Sequence, residues 1–270
     1  IKISVITVVL NNKKTIEKAI KSVISQSYKN IEYIVVDGKS TDGTLDIIHK
    51  YRKYISKFIS EKDNGIYDAM NKGAKMATGD LVFFLNSDDI FFDNSVIEKI
   101  VEVFSKNIRY DYFYGGVVSR GIFNSGQDNI FLREIPNLLI KRGQNIPHQS
   151  LFVKRELFDE IGMFNTRLSV NADYDFDCRL VKKGKKGFFV KFLISYYDQN
   201  GFSSKGGWNL YKEKLSVIKN HFGSYYAILY YFKAVFTYLI VRIFKLIGIA
   251  GLVSKILNKV RGTVISRGEV

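Results

Sequence analysis

Cysteine and proline are scarce in this chain of 270 residues, which contains one cysteine, Cys178, and two prolines. A single thiol can form no disulfide within the chain and cannot by itself build a thiolate zinc site, so disulfide scaffolds and zinc fingers are excluded. With 46% hydrophobic residues, the composition also excludes disordered and collagen-like classes. What remains is a globular chain that can bury the core of one large domain, or of a domain with an appendage.

Long uncharged runs are missing as well. In the C-terminal region the longest one, 220–232, has 13 residues. A simple membrane-spanning helix needs about 18 residues of this kind. The sequence therefore predicts no plain transmembrane helix.

The excess of positive charge is concentrated near the end of the chain. Lys and Arg outnumber Asp and Glu by 41 to 26, and from residue 201 onward there are eleven basic residues against two acidic ones. Basic residues interleaved with aromatic and aliphatic ones are typical of a helix lying on an anionic membrane. The sequence thus predicts a domain at 1–206 and a helical, basic, membrane-associating segment at 207–270. The alternative is that this segment packs on the domain.

The first half of the chain alternates between strand-like and helix-like patterns. Residues 3–10 form an almost continuous apolar run, which is typical of a strand buried on both faces. The segment 16–24 then places its apolar residues at helical spacing, and buried strands recur at 31–36 and 81–85. This order predicts an α/β fold with a mostly parallel sheet flanked by helices, whose ligands bind at the carboxyl ends of the strands.

Acidic residues follow two of these strands directly. Asp37 comes at the end of one strand, where a carboxylate could accept a hydrogen bond from a base or a ribose. Asp88 and Asp89 follow another, and adjacent carboxylates repel each other unless a cation or hydrogen-bond donors compensate. Hard oxygen ligands favour Mg²⁺ or Mn²⁺ shared with a diphosphate. The alternative for both groups is an ordinary turn or helix cap.

Three more acids, Asp173, Asp175 and Asp177, occupy alternate positions where a helix is expected to begin. Acids in a first turn stabilise the helix dipole, but one of these could instead serve as a general base toward a sugar hydroxyl.

The three histidines of the chain are weaker candidates. His148 precedes an apolar strand, where a structural role is the alternative to a functional one. His49 and His221 lie on helical stretches without acidic partners in the sequence and are expected at the surface.

Taken together, these motifs resemble family 2 glycosyltransferases with the GT-A fold, most closely the bacterial enzymes of O-antigen, capsule or colanic acid synthesis. The likeness runs from residue 3 to about residue 206. The segments that carry it are 22–27 (SVISQS), 36–44 (VDGKSTDGT), 63–73 (DNGIYDAMNKG), 77–80 (ATGD), 86–89 (NSDD) and 172–175 (ADYD).

The resemblance implies a role for each of several residues. Asp173 matches the general base, with Asp175 as a fallback. Asp88 matches the last acid of the metal-binding D-x-D motif, and Asp89 is expected to assist it. The positions expected to contact the nucleotide are Asp37, Asn11, Asp68, Asn71 and Asn86. The positions expected near the acceptor or the sugar are His148, Asp175 and Ser203.

The sequence also departs from the family pattern at four points. Asn86 stands where the metal motif usually has its first acid, which removes one negative charge. Leu10 replaces an aromatic residue that many relatives place before Asn11, and Ala172 replaces the Glu beside the expected base. The segment 200–203 is a degenerate form of a Gly-Gly-x-Ser loop.

The resemblance implies an inverting, metal-dependent transferase. Its donor would be a nucleotide-sugar, with UDP-hexose or UDP-N-acetylhexosamine favoured, and its cofactor Mn²⁺ or Mg²⁺. Its acceptor would be a saccharide, linked to polyprenyl diphosphate, and its place the cytoplasmic face of the bacterial inner membrane, as a peripheral protein.

Three other interpretations compete with this one. An inactive family member could act as a scaffold. A nucleic-acid-binding protein would explain the charge, but no recognition motif for nucleic acid occurs and acidic strand ends repel phosphates, so no nucleic acid is expected as a partner. A sugar-nucleotide pyrophosphorylase needs a glycine-rich loop after the first strand, where this chain has no glycine.

Overall fold

The computed structural model describes residues 1–120, 128–198 and 207–246. The strands are β1 (Ile3–Val9), β2 (Ile31–Asp37), β3 (Lys57–Ser60), β4 (Leu81–Phe84), β5 (Ile90–Phe91), β6 (Tyr112–Arg120), β7 (Asn129–Phe131), β8 (Leu151–Lys154) and β9 (Gly187–Asp198). The α-helices are α1 (Ile16–Ile24), α2 (Thr44–Lys50), α3 (Ile66–Met76), α4 (Val96–Lys106), α5 (Asn137–Lys141), α6 (Glu156–Glu160), α7 (Ala172–Lys182), α8 (Gly207–Phe222) and α9 (Ser224–Leu246).

The described strands form one nine-stranded sheet in the order β3-β2-β1-β4-β8-β6-β9-β5, with β7 beside β6. The first four strands of the chain lie side by side, and each pair of neighbours within this group is parallel. β8 runs antiparallel to both β4 and β6, whereas β6 and β9 are parallel. The α/β fold expected from the alternating pattern is confirmed, and its parallel half is built by residues 3–84.

The sheet is covered by helices on both faces, which explains the continuous apolar runs of its central strands. Successive side chains of a strand point to opposite faces. In β1, Ile6 and Val8 accordingly belong to a core shared with α3 and α7. Val5 and Val9 belong to a second core, shared with α1 and α4.

Helix α3 lies unusually close to the sheet at Gly73. A Cβ atom at this position would lie only 2.4 Å from Cγ2 of Ile6, so a larger residue would push the helix away from β1. This close contact fixes the segment that leads from β3 into α3 at the carboxyl edge of the parallel strands.

Helices α8 and α9 confirm the expectation of helical structure after residue 206, as far as the chain is described. Val217 and Ile218 of α8 are buried, as are Ala227 and Tyr230 of α9, and all four belong to the core that covers one face of the sheet. One face of each helix is therefore packed on the sheet domain. The division at residue 206 and the membrane association of the segment 207–270 stay predictions.

The outer face of α9 is different from its inner face. Tyr225, Phe232 and Phe236 are each about two-thirds exposed to solvent. No helix among the described residues is both long enough and apolar enough to cross a membrane.

Candidate active site

A cavity of about 1000 Å³ opens where the parallel strands end. Its lining includes Asn11, which follows β1, and the loop 86–89, which follows β4. From the second half of the chain it receives His148 and Asp173. The cavity thus lies at the carboxyl edge of the sheet, where the alternating pattern predicted ligand binding.

The loops after β1, β2 and β4 are tied together by side-chain amides and hydroxyls. Asn11 has a positive φ of 49° and accepts a hydrogen bond from the backbone N–H of Thr41 (2.8 Å) through its Oδ1. Its own backbone N–H donates to Ser40 Oγ (2.8 Å). Asn12 Nδ2 donates to Ser87 Oγ (2.9 Å). Asn11 therefore has a structural function at the rim of the cavity, independent of which ligand the cavity binds.

Asp37 is completely buried at the end of β2. One carboxylate oxygen, Oδ2, accepts hydrogen bonds from the backbone N–H groups of Lys39 and Ser40 (both 3.0 Å) and from Ser60 Oγ (2.6 Å). The other oxygen, Oδ1, is buried without a hydrogen-bond partner in the described residues. A buried acceptor of this kind costs free energy until a donor reaches it. Asp37 itself lies outside the cavity lining, beside the loop that carries Asn11.

The loop 86–89 presents oxygen ligands to the cavity. Asn86, Asp88 and Asp89 all line it, and Oδ1 of Asn86 is buried without a hydrogen-bond partner among the described residues. Carboxylate and amide oxygens suit Mg²⁺ or Mn²⁺. No cluster of three His, Cys, Asp or Glu side chains fit to hold a metal occurs in the described part of the chain. The donor set fits a cation that takes part of its coordination from a bound phosphate, and does not fit an all-protein cage.

Asp173, the predicted base, lies in the first turn of α7 and lines the cavity. Its Oδ1 accepts hydrogen bonds from the Tyr67 hydroxyl (3.2 Å) and from the backbone N–H of Tyr174 (2.8 Å). Its Oδ2 lies 3.6 Å from His148 Nδ1 and accepts a longer bond from Asn145 Nδ2 (3.4 Å). Burial raises the pKa of Asp173, but the interactions with His148 and the backbone outweigh it, so the pKa falls below its ordinary value. The carboxylate is therefore ionised, and able to accept a proton, at neutral pH.

His148 connects the predicted base to the predicted metal loop. Its Nε2 lies 3.1 Å from Asn86 Nδ2, and its Nδ1 faces Asp173. Since an amide nitrogen can only donate, a neutral His148 in this arrangement carries its proton on Nδ1, directed toward Asp173. Of the two interpretations left open for His148, this position favours the functional one.

Asp175 is not brought to the cavity. Its Oδ2 accepts a hydrogen bond from Arg179 Nε (2.9 Å), and its Oδ1 lies 2.8 Å from His221 Nε2 of α8. Two residues along a helix turn the side chain by about 200°, so Asp173 and Asp175 point to opposite sides of α7. The geometry gives Asp175 a structural role and does not support it as a fallback base. The expectation that His221 lies at the surface is wrong, because it is half-buried against this carboxylate.

Asp68 and Asn71 of α3 also lie outside the cavity lining. The side chain of Asn71 makes two hydrogen bonds with the backbone of Phe164. Its Nδ2 donates to the carbonyl and its Oδ1 accepts from the N–H, each at 2.9 Å. Asp68 accepts from the backbone N–H of Asn64 (3.0 Å) at the start of α3. These contacts fix α3 and leave the predicted nucleotide contacts of both residues without support. Ser203, predicted near the acceptor, lies outside the described residues.

Helix α8 contributes two residues to the site that the sequence did not reveal as functional. Glu213 accepts hydrogen bonds from the backbone N–H groups of Val170 (3.1 Å) and Asn171 (3.3 Å), which holds the start of α7 in place. Lys214 lines the cavity and donates to Asn145 Oδ1. The one visible signal was that Glu213 is one of only two acids after residue 200.

Comparison with known proteins assigns a family to a chain with this sheet and this cavity. The family model for glycosyl transferase family 2 matches residues 4–162, more than half of the chain. This chain therefore belongs to glycosyltransferase family 2.

Two relatives and one solved structure are similar to this chain over much of its length. A PGL/p-HBAD biosynthesis glycosyltransferase from Mycobacterium bovis is 34% identical over 179 residues, which cover 65% of this chain and 68% of that protein. The Escherichia coli UDP-Glc:alpha-D-GlcNAc-diphosphoundecaprenol beta-1,3-glucosyltransferase WfaP is 28% identical over 204 residues, 72% of this chain and 76% of that one. The crystal structure of S. aureus TarS 1-349 in complex with UDP-GlcNAc has a TM-score of 0.66 at 20% identity, and covers 85% of this chain and 70% of that one. The last likeness confirms the fold.

Proposed function

We propose that this protein transfers a hexose or N-acetylhexosamine from a UDP-sugar to a hydroxyl of a saccharide acceptor, with inversion at the anomeric carbon. The acceptor is proposed to be linked to polyprenyl diphosphate and to serve surface polysaccharide synthesis. The observation that supports this most strongly is that one cavity contains both Asp173 and the polar loop 86–89, and that His148 connects them. The likeness to WfaP, named for a UDP-sugar donor and a diphosphoundecaprenol acceptor, supports the choice of substrates.

On the donor side, Asp37 is suited to the nucleotide base. Its unpartnered Oδ1 is an acceptor at the carboxyl end of β2, and an N–H of the base would satisfy it. Because Oδ2 is already held by three donors, the carboxylate cannot turn away from such a ligand without losing them.

A divalent cation, Mn²⁺ or Mg²⁺, would be held by Asp88 and Asp89 together with the donor's phosphate oxygens, and Oδ1 of Asn86 fits the same role. When bound, such a cation neutralises the charge that develops on the departing nucleoside diphosphate. Asn86 carries no charge, so the loop supplies less negative charge than a motif with an acid at that position. The reaction therefore depends more strongly on Asp88.

On the acceptor side, Asp173 takes the proton from the attacking hydroxyl. The new bond joins the acceptor oxygen to the anomeric carbon, the bond from that carbon to the diphosphate oxygen breaks, and the proton passes to the carboxylate of Asp173. A single displacement inverts the anomeric centre, so an α-linked donor gives a β-glycoside. The Nδ1 proton of His148 stabilises the ionised carboxylate that this step requires.

We further propose that the protein works at the cytoplasmic face of the bacterial inner membrane, where α9 lies on an anionic lipid surface. The outer face of α9 exposes aromatic and aliphatic side chains, and Lys233 and Arg242 of the same helix are exposed beside them. Apolar side chains flanked by basic ones are what an interfacial helix uses. Among the side chains that the structure describes, the exposed apolar ones on this face are Tyr225, Ile228, Leu229, Tyr231, Phe232, Phe236 and Leu239.

The catalytic proposal is tested by following nucleoside diphosphate release from UDP-, GDP- and dTDP-sugars, with Mn²⁺ or Mg²⁺ and with EDTA. A metal-dependent signal from one UDP-sugar is expected in the wild type. The signal should be lost in Asp88→Ala and kept in Asp46→Ala, which removes an exposed acid from α2. If every donor is silent and UDP does not bind, the inactive scaffold becomes the better account.

The membrane proposal is tested by flotation of the full chain with vesicles of phosphatidylglycerol and phosphatidylethanolamine. The double variant Phe232→Ser with Phe236→Ser should float less than the wild type. The control Ile108→Ser removes a side chain that is equally exposed elsewhere on the surface. Equal flotation of both variants would count against α9 as the membrane-binding face.

A further inference from the structure

Two basic side chains line the cavity and come from parts of the chain that lie far in sequence from the predicted nucleotide contacts. Arg133 follows β7 and Lys214 lies on α8, and both line the cavity. Each is held by a neutral amide: an Nη2 group of Arg133 donates to Gln144 Oε1, and Lys214 Nζ donates to Asn145 Oδ1. Since Gln144 and Asn145 are adjacent in the chain, one loop holds both cations.

Neither cation is neutralised by an ion pair in the part of the chain that the structure describes. Lys72, another half-buried lysine, by contrast lies 2.6 Å from Asp63 Oδ1. Lys214 instead packs its ammonium group 4.4 Å from the centre of the Tyr174 ring. Burial lowers the pKa of Lys214 to about 8, although the nearby carboxylates of Asp173 and Asp177 oppose that shift. A second anion beside this group would be favourable, because it would offset the cost of holding the charge away from water.

The loop that holds the cations is packed against the C-terminal helices. Gly143 has a positive φ of 87°, and a Cβ atom there would lie 2.4 Å from the Tyr230 ring of α9. The loop's Asn145 also donates to Asp173 Oδ2 (3.4 Å). The loop that holds the two cations therefore contacts both the predicted base and α9, the helix whose outer face is apolar.

We propose that Arg133 and Lys214 bind the diphosphate of a lipid-linked acceptor, so that the saccharide hydroxyl reaches Asp173 while the lipid leaves the cavity toward α9. This inference rests on the function proposed above. The other source of the same chemistry is the diphosphate of the donor nucleotide. The position of both cations favours the acceptor, because the predicted donor contacts come from the loops after β1, β2 and β4, whereas the cations come from elements after residue 128.

A calorimetric titration distinguishes the diphosphate of the acceptor from that of the donor as the ligand of these cations. The full chain is first saturated with UDP and Mg²⁺ and is then titrated with geranyl diphosphate. Geraniol is the uncharged match for this probe. Wild type is expected to bind geranyl diphosphate and not geraniol. Lys214→Met and Arg133→Met should each weaken binding at least tenfold. Lys212→Met, which removes an exposed lysine from the same helix, should change binding by less than twofold.

Several results would overturn the inference. Unchanged binding by both methionine variants would show that the cations do not form an anion site. Competition between UDP and geranyl diphosphate, with both affinities lost together in the variants, would assign the cations to the donor. Wild type that binds UDP but not geranyl diphosphate would refute this inference alone, whereas failure to bind UDP at all would count against the proposed function.

Folding defects and indirect effects are controlled within the same experiment. Lys214→Arg keeps the charge and should retain binding within about threefold. Arg133 belongs to a different element, so its variant tests the site even if Lys214→Met loses stability. A role confined to positioning Asp173 through Asn145 would leave the affinity for geranyl diphosphate unchanged, because this binding requires no proton transfer.

Discussion

Strand β2 carries two buried carboxylates, one near each end, and their surroundings differ. Glu32, near the start, accepts hydrogen bonds from Ser4 Oγ (2.6 Å) and from the backbone N–H of Thr78 (2.7 Å), and its Oε1 lies 3.2 Å and 2.9 Å from the ammonium groups of Lys2 and Lys57. Asp37, at the other end, has partners on one oxygen only within the described residues. Both carboxylate oxygens of Glu32 have partners within the fold, whereas one oxygen of Asp37 is available to a ligand.

The contrast extends to the edges of the sheet on which these residues lie. At the amino edge of the parallel strands, polar side chains satisfy one another and hold β1, β2 and β3 together. At the carboxyl edge, Asn86 also has a buried oxygen without a partner among the described residues. Because leaving a buried acceptor unpaired costs about 1 to 3 kcal/mol, such groups indicate a place where a ligand completes the structure.

The largest effect is expected at the carboxyl edge, from Asp173→Asn. An amide cannot take the proton of the acceptor hydroxyl, so sugar transfer should fall by roughly 10³-fold. Binding of the UDP-sugar should change by less than about threefold, since this side chain is not among the predicted nucleotide contacts. Steady-state transfer and calorimetric binding of the donor measure the two quantities. Equal loss of both would rule out the assignment of Asp173 as the base.

Asp37→Asn is the next most informative change. The amide oxygen can keep the bonds that Oδ2 accepts, but it places an NH₂ group where Oδ1 was and so replaces an acceptor by a donor. UDP affinity should drop by roughly 50- to 100-fold, with little loss of folding stability. Titration with UDP and a thermal melt of the same sample measure both. Normal UDP affinity in a folded variant would remove Asp37 from the nucleotide site.

Glu32→Gln should give the opposite result, a loss of stability with unchanged UDP affinity. Burial raises the pKa of Glu32, but the bonds from Ser4, Thr78 and Lys57 outweigh it and lower the pKa to about 2. The contribution of this carboxylate is fully present above its unfolded pKa near 4.5 and is lost as the pH falls toward 2. The variant should lose about 2 kcal/mol at pH 7 and show a flatter stability profile between pH 4.5 and 2, measured by urea unfolding.

The smallest loss is expected from Asp177→Asn. Asp177 is 1% exposed, and its Oδ2 accepts a hydrogen bond from the backbone N–H of Ile146 (2.9 Å), which an amide oxygen can keep. Burial and the charge of Asp173 raise the pKa of Asp177 well above its ordinary value. Stability is lost as the pH rises from the ordinary pKa of such a group, here 3.8, toward its raised folded pKa, so wild type should weaken relative to the variant over this range.

At pH 3, below the ordinary pKa of 3.8, the carboxyl is protonated in both the folded and the unfolded state, so the unfolding free energies of the Asp177→Asn variant and the wild type should agree within about 1 kcal/mol. At pH 7 the variant should be the more stable of the two. Urea unfolding at both pH values tests this, and a variant that is less stable than wild type at pH 7 would show that Asp177 is an essential charge.

Much of the parallel half of the fold could be predicted from the sequence, because buried strands and amphipathic helices leave different periods. The order of the other strands could not. The sequence predicts an apolar strand after His148, but it does not predict that this strand, β8, inserts antiparallel between β4 and β6. That choice depends on which exposed edges meet during packing.

The site divides in the same way. Asp37, loop 86–89 and Asp173 were predicted because they stand at the ends of recognisable elements, and the structure brings the last two into one cavity. The opposite orientation of Asp175 follows from helix geometry and could have been predicted. Lys214 could not, since it reaches Asp173 only through the packing of α8 against α7 over a separation of about forty residues.

Hydrogen exchange of the full chain with and without UDP and Mn²⁺ tests the central claim most directly, because it locates the nucleotide without requiring the donor sugar or the acceptor. The account predicts that UDP slows exchange in segments 37–44 and 86–92, at the carboxyl edge. Segments 28–33 and 76–80, at the amino edge around Glu32, should exchange at the same rate in both samples. Protection at the amino edge, or on α9 alone, would contradict the claim that the carboxyl edge of the sheet is the nucleotide site.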